Sequence, residues 1–160
     1  MPVYSFTVKK ARPEDADDIK GILNEAFTKY MKDTGLTGSM EALEETREQI
    51  IRAIEETEVF IAHVNGVAVG TIRFEISGDE AHISRFGVRL DYHNIGIGKS
   101  LMNLVDAEMI ALGIKRAYLY SASAYTDLIR FYYSRGFYIE STSTDRGYVR
   151  AKLVKEYKNR

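Results

Sequence analysis

The chain has no cysteine, which removes disulfides, thiolate metal ligands and a cysteine nucleophile from consideration. Histidine is scarce as well: three are present, too scattered along the sequence to suggest a zinc site, and no metal is expected. Long apolar runs are missing, since nothing approaches the roughly 18 uninterrupted apolar residues of a membrane span. The opening "MPVYSFTVKK" shows no apolar stretch leading to a small-residue cleavage site. These absences point to a soluble, cytoplasmic protein that meets no membrane. Excess charge is lacking too: the net charge is −1, the isoelectric point is about 6.3, and no basic stripe with interleaved aromatics is present. A nucleic-acid partner is therefore not expected.

What is present suits one compact domain over residues 1–160. The 160 residues are 45% hydrophobic and 28% charged, enough for a real core, and no repeat, low-complexity segment or linker interrupts them. The small net charge hides an asymmetry. Residues 14–58 hold 13 acidic against 5 basic residues, a local balance of −8, so the remainder carries +7. Such a segment can be a solvated helix face, or one side of a molecule that meets a cationic ligand while the other meets an anion.

Periodicity predicts the elements in turn. "YSFTVKKA" alternates as a strand. Pro13 suits the first position of a helix, with Glu14 and Asp15 where the helix dipole favours acids, and Ile19, Ile22, Leu23, Ala26, Phe27 and Tyr30 recur at helical spacing. "KDTGLTGS" breaks that helix, and a second is expected over Met40 to Glu56. "EVFIAHV", "VAVGTIRFEI" and "EAHISRFGV" read as three antiparallel strands joined by turns at Asn65-Gly66 and Ser77-Gly78-Asp79. A third helix through Leu101, Leu104, Val105 and Leu112 ends at Gly113. "RAYLYSA" is a strand, "YTDLIRFYYSRG" a fourth helix, and "FYIESTS" and "GYVRAKLV" close the chain as strands around a turn near Asp145 to Gly147. The result is a mixed α/β domain with a mostly antiparallel sheet and four helices.

Between the third antiparallel strand and the third helix lies "YHNIGIGKSL". Its Gly-Lys-Ser ending invites a phosphate-loop reading, but the glycine required five residues before Gly98 is replaced by His93. The dinucleotide fingerprint fails as well, because its third glycine falls on Leu101. A strand, two spaced glycines and a helix start still expose several backbone N–H groups. Those of residues 95–99, with the helix dipole and Lys99, suit a pyrophosphate. The bland alternative is that Gly96 and Gly98 merely make a tight turn.

Two segments together carry a resemblance. "VRLDYHNIGIGKSLM", Val88 to Met102, resembles the central motif of the GNAT superfamily of acyl-CoA N-acyltransferases, in which Gln/Arg-x-x-Gly-x-Gly/Ala opens a leucine-rich helix. "LIRFYYSRGF", Leu128 to Phe137, resembles that family's second signature, with Tyr132 at its tyrosine position. The element order from Phe6 to Leu153 fits throughout. This sequence departs at His93, Tyr125 and Leu128, where the family usually has Gln or Arg, often Asn, and often Ala.

The resemblance implies coenzyme A between splayed fourth and fifth strands. Its pantetheine would pair with backbone around Phe86, Gly87 and Val88, and its pyrophosphate would take the amides of Ile95, Gly96, Ile97, Gly98 and Lys99. His93, Asn94, Ser100, Tyr125 and Tyr132 complete the implied coenzyme site. Acetyl-CoA and an amine would be the substrates, reacting directly in a ternary complex. An alkyl amine of pKa near 10.4 is mostly protonated at neutral pH, a penalty of roughly 4–5 kcal/mol, so a base or water chain is needed. His82 takes the position of a glutamate base in the histone-modifying branch, and Glu75 on the neighbouring strand is the reserve. Tyr132 would protonate the leaving thiolate. A backbone N–H near Phe86, freed by a bend at Gly87, would meet the oxyanion. Further expectations are a cationic amine at the acidic helices, a homodimer paired through "YVRAKLV", and, as the rival function, a catalytically silent acyl-CoA sensor.

Overall fold

The computed structural model describes residues 6–37 and 40–158. Seven strands form one sheet: β1 (Phe6–Lys10), β2 (Glu58–Val64), β3 (Val67–Ser77), β4 (Glu80–Val88), β5 (Arg116–Ala122), β6 (Tyr138–Ser143) and β7 (Arg150–Glu156), in spatial order β1-β2-β3-β4-β5-β7-β6. All neighbours are antiparallel except β4 and β5. Tyr4 and Ser5 of the expected first strand, and Gly38 and Ser39 of the expected helix breaker, lie outside the described residues.

Side-chain alternation divides the sheet into two cores. On β2, Val59 and Ile61 face the helices α1 (Ala16–Thr34) and α3 (Arg47–Glu56), where they meet Ile19, Ile22, Leu23, Ile50 and Ile54. Phe60, Ala62 and Val64 point the other way, into the larger core beneath α4 (Ile97–Leu112) and α5 (Thr126–Ser134). The long crossover through α4 is what allows β4 and β5 to run parallel.

Three expectations need correction. The helix expected over Met40 to Glu56 is two, a short α2 (Glu41–Glu44) and α3, which makes five helices instead of four. Glu45 is extended (φ −63°, ψ 126°), and Thr46 caps α3 by accepting from the Gln49 amide at 3.1 Å while Gln49 Oε1 accepts from the Thr46 amide. That Thr-x-x-Gln signal was legible in the sequence. Second, "YVRAKLV" offers no free edge, because β7 is hydrogen-bonded to β5 on one side and β6 on the other; the edge strand at that end is β6.

Third, the bend in β4 is not at Gly87. Register passes from Arg73↔Ser84 to Thr71↔Gly87, so Arg85 and Phe86 bulge opposite Ile72, and Arg85 takes the left-handed φ of 51°. Gly87 serves a close approach instead: a Cβ there would stand 2.9 Å from Cβ of Ala26 on α1. Gly87→Ala is expected to cost about 1–3 kcal/mol of stability through this overpacking. A lower urea midpoint measures it, and an unmoved midpoint would mean that α1 yields freely.

Candidate active site

Divergence of β4 from β5 creates the site. Only three register pairs join them, Glu80↔Arg116, Ala81↔Ala117 and His82↔Tyr118; beyond His82 the strands separate. A cleft of about 1120 Å³ passes through this opening, from residues 93–99 on one side to Arg146 and Tyr148, in the β6–β7 connection, on the other. Seen from β4, the backbone of Arg85 and Phe86 has lost its register partner on β3 and faces a strand that has already turned away.

At one end the glycine loop opens α4. Asn94 and Gly96 are left-handed (φ 66° and 88°), and Gly96 is the N-cap without any side-chain cap. The first helical bond runs from the Ser100 amide to the Gly96 carbonyl at 2.9 Å; among the described residues, the amides of 94–99 have no acceptor in the surrounding turns and caps. Those N–H groups and the positive end of α4 make an anion cradle, and Lys99 lines the same end of the cleft. The two glycines differ in purpose. Gly96 supplies the left-handed turn, whereas Gly98 admits the Phe86 ring, whose Cζ would be 3.2 Å from an added Cβ.

Among the sequence-predicted residues, His82, Phe86, Gly87, Val88, His93, Asn94, Gly96, Ile97, Gly98, Lys99, Tyr125 and Tyr132 line the cleft. Ile95 and Ser100 belong to the loop but do not line it. Glu75 is exposed and outside it, directly opposite His82 in the β3–β4 register. Two side chains are already engaged: the His93 ring Nε2 lies 3.0 Å from the Val88 carbonyl oxygen, and the Tyr125 hydroxyl donates to Asp33 at 3.2 Å.

Tyr132 is buried among Phe131, Phe137 and Phe86, with ring centroids 5.7, 5.8 and 6.3 Å away. Among the described residues nothing hydrogen-bonds its hydroxyl, and burial pushes the phenol far above its ordinary range, so it remains protonated. His82 stacks on Tyr118 at 4.9 Å and meets Tyr120 edge-on at 5.7 Å. Burial lowers its pKa, Glu75 opposes this, and Arg150 and Arg85 lower it further, so the ring is neutral near pH 7.

Sequence reasoning missed five contributors. Tyr30, read as part of a packed helix face, accepts the Ala122 amide at 2.6 Å and so ties α1 to the end of β5 across the splay. Glu45 is gripped by both terminal nitrogens of Arg73 at 2.9 Å and lies 3.5 Å from Nε of Arg85. This ion cluster anchors the bulge. Arg150 lies over the Tyr120 ring, its guanidinium carbon 3.9 Å from the ring centroid. None of these five has a sequence pattern that separates it from an ordinary surface or core residue. The acidic segment also behaves differently from expectation: of its carboxylates only Asp33 and Glu41 line the cleft, Asp33 2.6 Å from Lys29 and Glu41 4.0 Å from Arg146.

Comparison with known proteins agrees with this architecture. The structure matches a Thermoplasma acidophilum PaiA N-acetyltransferase in complex with coenzyme A at TM-score 0.84 and 22% identity, covering 96% of this chain and 99% of that one. The Escherichia coli ribosomal-protein-S18-alanine N-acetyltransferase matches at TM-score 0.78 and 17% identity, covering 98% and 96%. A chimera built on the Vibrio cholerae spermidine N-acetyltransferase matches at TM-score 0.75 and 14% identity, covering 94% and 95%. No curated protein sequence matches the chain. The model of the Acetyltransferase (GNAT) family matches residues 19–137, the span from α1 through the splayed strands to the end of the second signature, and the chain therefore belongs to that family of acyltransferases.

Proposed function

We propose that the protein moves an acetyl group from acetyl-CoA to a primary amine, by direct attack while both substrates are bound. The observation that carries this reading is the pairing of an uncapped amide cradle at 94–99 with the unpartnered hydroxyl of Tyr132, both lining one cleft beside the splay. The cradle fits a diphosphate, and the separated edges of β4 and β5 suit an extended chain running inward from it.

In this scheme the amine nitrogen forms a bond to the thioester carbonyl carbon while the carbon–sulfur bond breaks. The surplus amine proton passes to His82, directly or through water, and the leaving thiolate takes a proton from Tyr132, which regains one from solvent. Backbone N–H groups at the Arg85–Phe86 bulge offset the charge that develops on the carbonyl oxygen. His82 is preferred over Glu75 because it lines the cleft and is neutral, hence able to accept a proton, near pH 7.

The test follows free thiol across an amine panel with acetyl-CoA. With an accepted amine, kcat/KM should rise with pH through a limb below the ordinary histidine value of about 6.5. His82→Gln should lower kcat/KM by about 10²-fold and remove that limb. Retention of the limb in the variant would pass the base role to Glu75 or to water alone. Tight acetyl-CoA binding with no thiol release from any amine would favour a silent sensor.

A further inference from the structure

The fold does not choose the acceptor. Among its neighbours one is named for a ribosomal-protein alanine and another for spermidine, so the choice must lie in the side chains that line this particular cleft. The acceptor end lies on the face of the sheet that also carries Arg73, His82, Tyr118 and Tyr120: His82 stands opposite Glu75 on β3 and Tyr118 on β5, and Arg73 and Tyr120 lie two residues further along those strands, on the same side.

Its charge balance is positive. Three carboxylates line the cleft, Asp33, Glu41 and Asp127, against Lys29, Arg85, Lys99, Arg146 and Arg150, and Asp33 and Glu41 each face a cation, Lys29 and Arg146 respectively. Glu45 is the single carboxylate available to both Arg73 and Arg85, and both its oxygens are already taken by Arg73. Arg150 has no carboxylate within ion-pair distance among the described residues, and its Nε is buried without a hydrogen-bond partner, as is that of Arg85. Arg85 and Arg150 both line the cleft, and both oppose protonation of His82, which Glu75, outside the cleft, favours. The cleft thus presents two under-compensated guanidiniums beside the candidate base. A rigid fork of N–H donors matches a carboxylate, and the Tyr120 ring packs beneath the Arg150 guanidinium.

On the acetyltransferase reading given above, we infer that the acceptor is an amine that also carries a carboxylate, seated with the carboxylate on Arg150 and Arg85 and the amine at His82. A polyamine would instead bring positive charge against both arginines. This reverses the expectation drawn from the acidity of residues 14–58, whose carboxylates are mostly directed away from the cleft or paired.

The experiment compares each amino acid with the amine left when its carboxylate is removed: phenylalanine with phenethylamine, lysine with 1,5-diaminopentane, β-alanine with ethylamine, and spermidine added. In the unaltered protein, kcat/KM should favour the carboxylate member of at least one pair by about 10- to 100-fold. Arg150→Met should collapse that ratio, and Arg150→Lys should restore part of it. Should Arg150→Met fail to fold, the deaminated acid of the preferred substrate, tested on the unaltered protein, should still compete with the amine. Equal or better turnover of the decarboxylated amines or spermidine, or a preference that survives Arg150→Met, overturns the carboxylate assignment and leaves the acetyltransferase reading standing. Thiol release from no amine at all overturns both.

Discussion

In Tyr132→Phe, kcat should fall by about 10²-fold, with acetyl-CoA affinity changed by no more than about twofold. The ring is what packs against Phe131, Phe137 and Phe86, and phenylalanine keeps it, so the fold and the coenzyme cradle are untouched. On the proposed mechanism, only the proton source is lost. A phenol raised by burial looks a poor acid for a thiol of ordinary pKa near 8.5. The same exclusion of water raises the pKa of a thiol forming beside it, which narrows the gap, and close contact does the rest. Stopped-flow or steady-state thiol release, set beside calorimetric binding of acetyl-CoA, separates the two quantities. An unchanged kcat would remove Tyr132 from the chemistry and leave it as core.

Glu45→Ala should be strongly destabilising. The carboxylate is 11% exposed and Arg73 10%, so truncation leaves a nearly buried guanidinium without its partner and frees Arg85 from its anchor. Breaking a buried pair in this way costs about 3–5 kcal/mol. At roughly 2–4 °C per kcal/mol for a chain of this size, the melting temperature should drop by about 10 °C. Burial raises the Glu45 pKa, but Arg73 and Arg85 more than reverse this, so the folded value lies below the unfolded one of about 4.3. Its stabilisation is therefore complete above about pH 4.3 and is lost as pH falls through the folded value. Melting measured against pH should show the variant's deficit shrinking on acidification. A deficit that stays constant down to pH 3 would assign the loss to packing alone. Because Glu45 also holds the Arg85 bulge, kcat should fall in the fraction that remains folded.

Much of the frame was legible because local signals report local constraints. Alternation in "YSFTVKKA", the apolar run of "EVFIAHV" and helical spacing from Ile19 to Tyr30 placed most elements within a residue or two. The loop was legible for the same reason: a left-handed Gly96 and a helix start are consecutive in sequence. The break at Glu45 was readable through Thr46 and Gln49, yet the continuous apolar spacing of the segment spoke for one helix. Tyr30, Arg85 and Arg150 were not readable as site residues, since their roles depend on partners 92, 40 and 30 positions away.

By itself, then, the sequence determined the element order, the uncapped amide cradle and the family signatures, because each follows from residues within one or two turns of one another. Tertiary structure alone decided where β4 bends, which edge stays free, and which charges line the cleft. Those outcomes are sums over distant side chains. A segment with a balance of −8 can still turn its carboxylates outward and leave two arginines facing the cleft. Net charge adds up along the chain, whereas a bound substrate responds only to the groups that surround it.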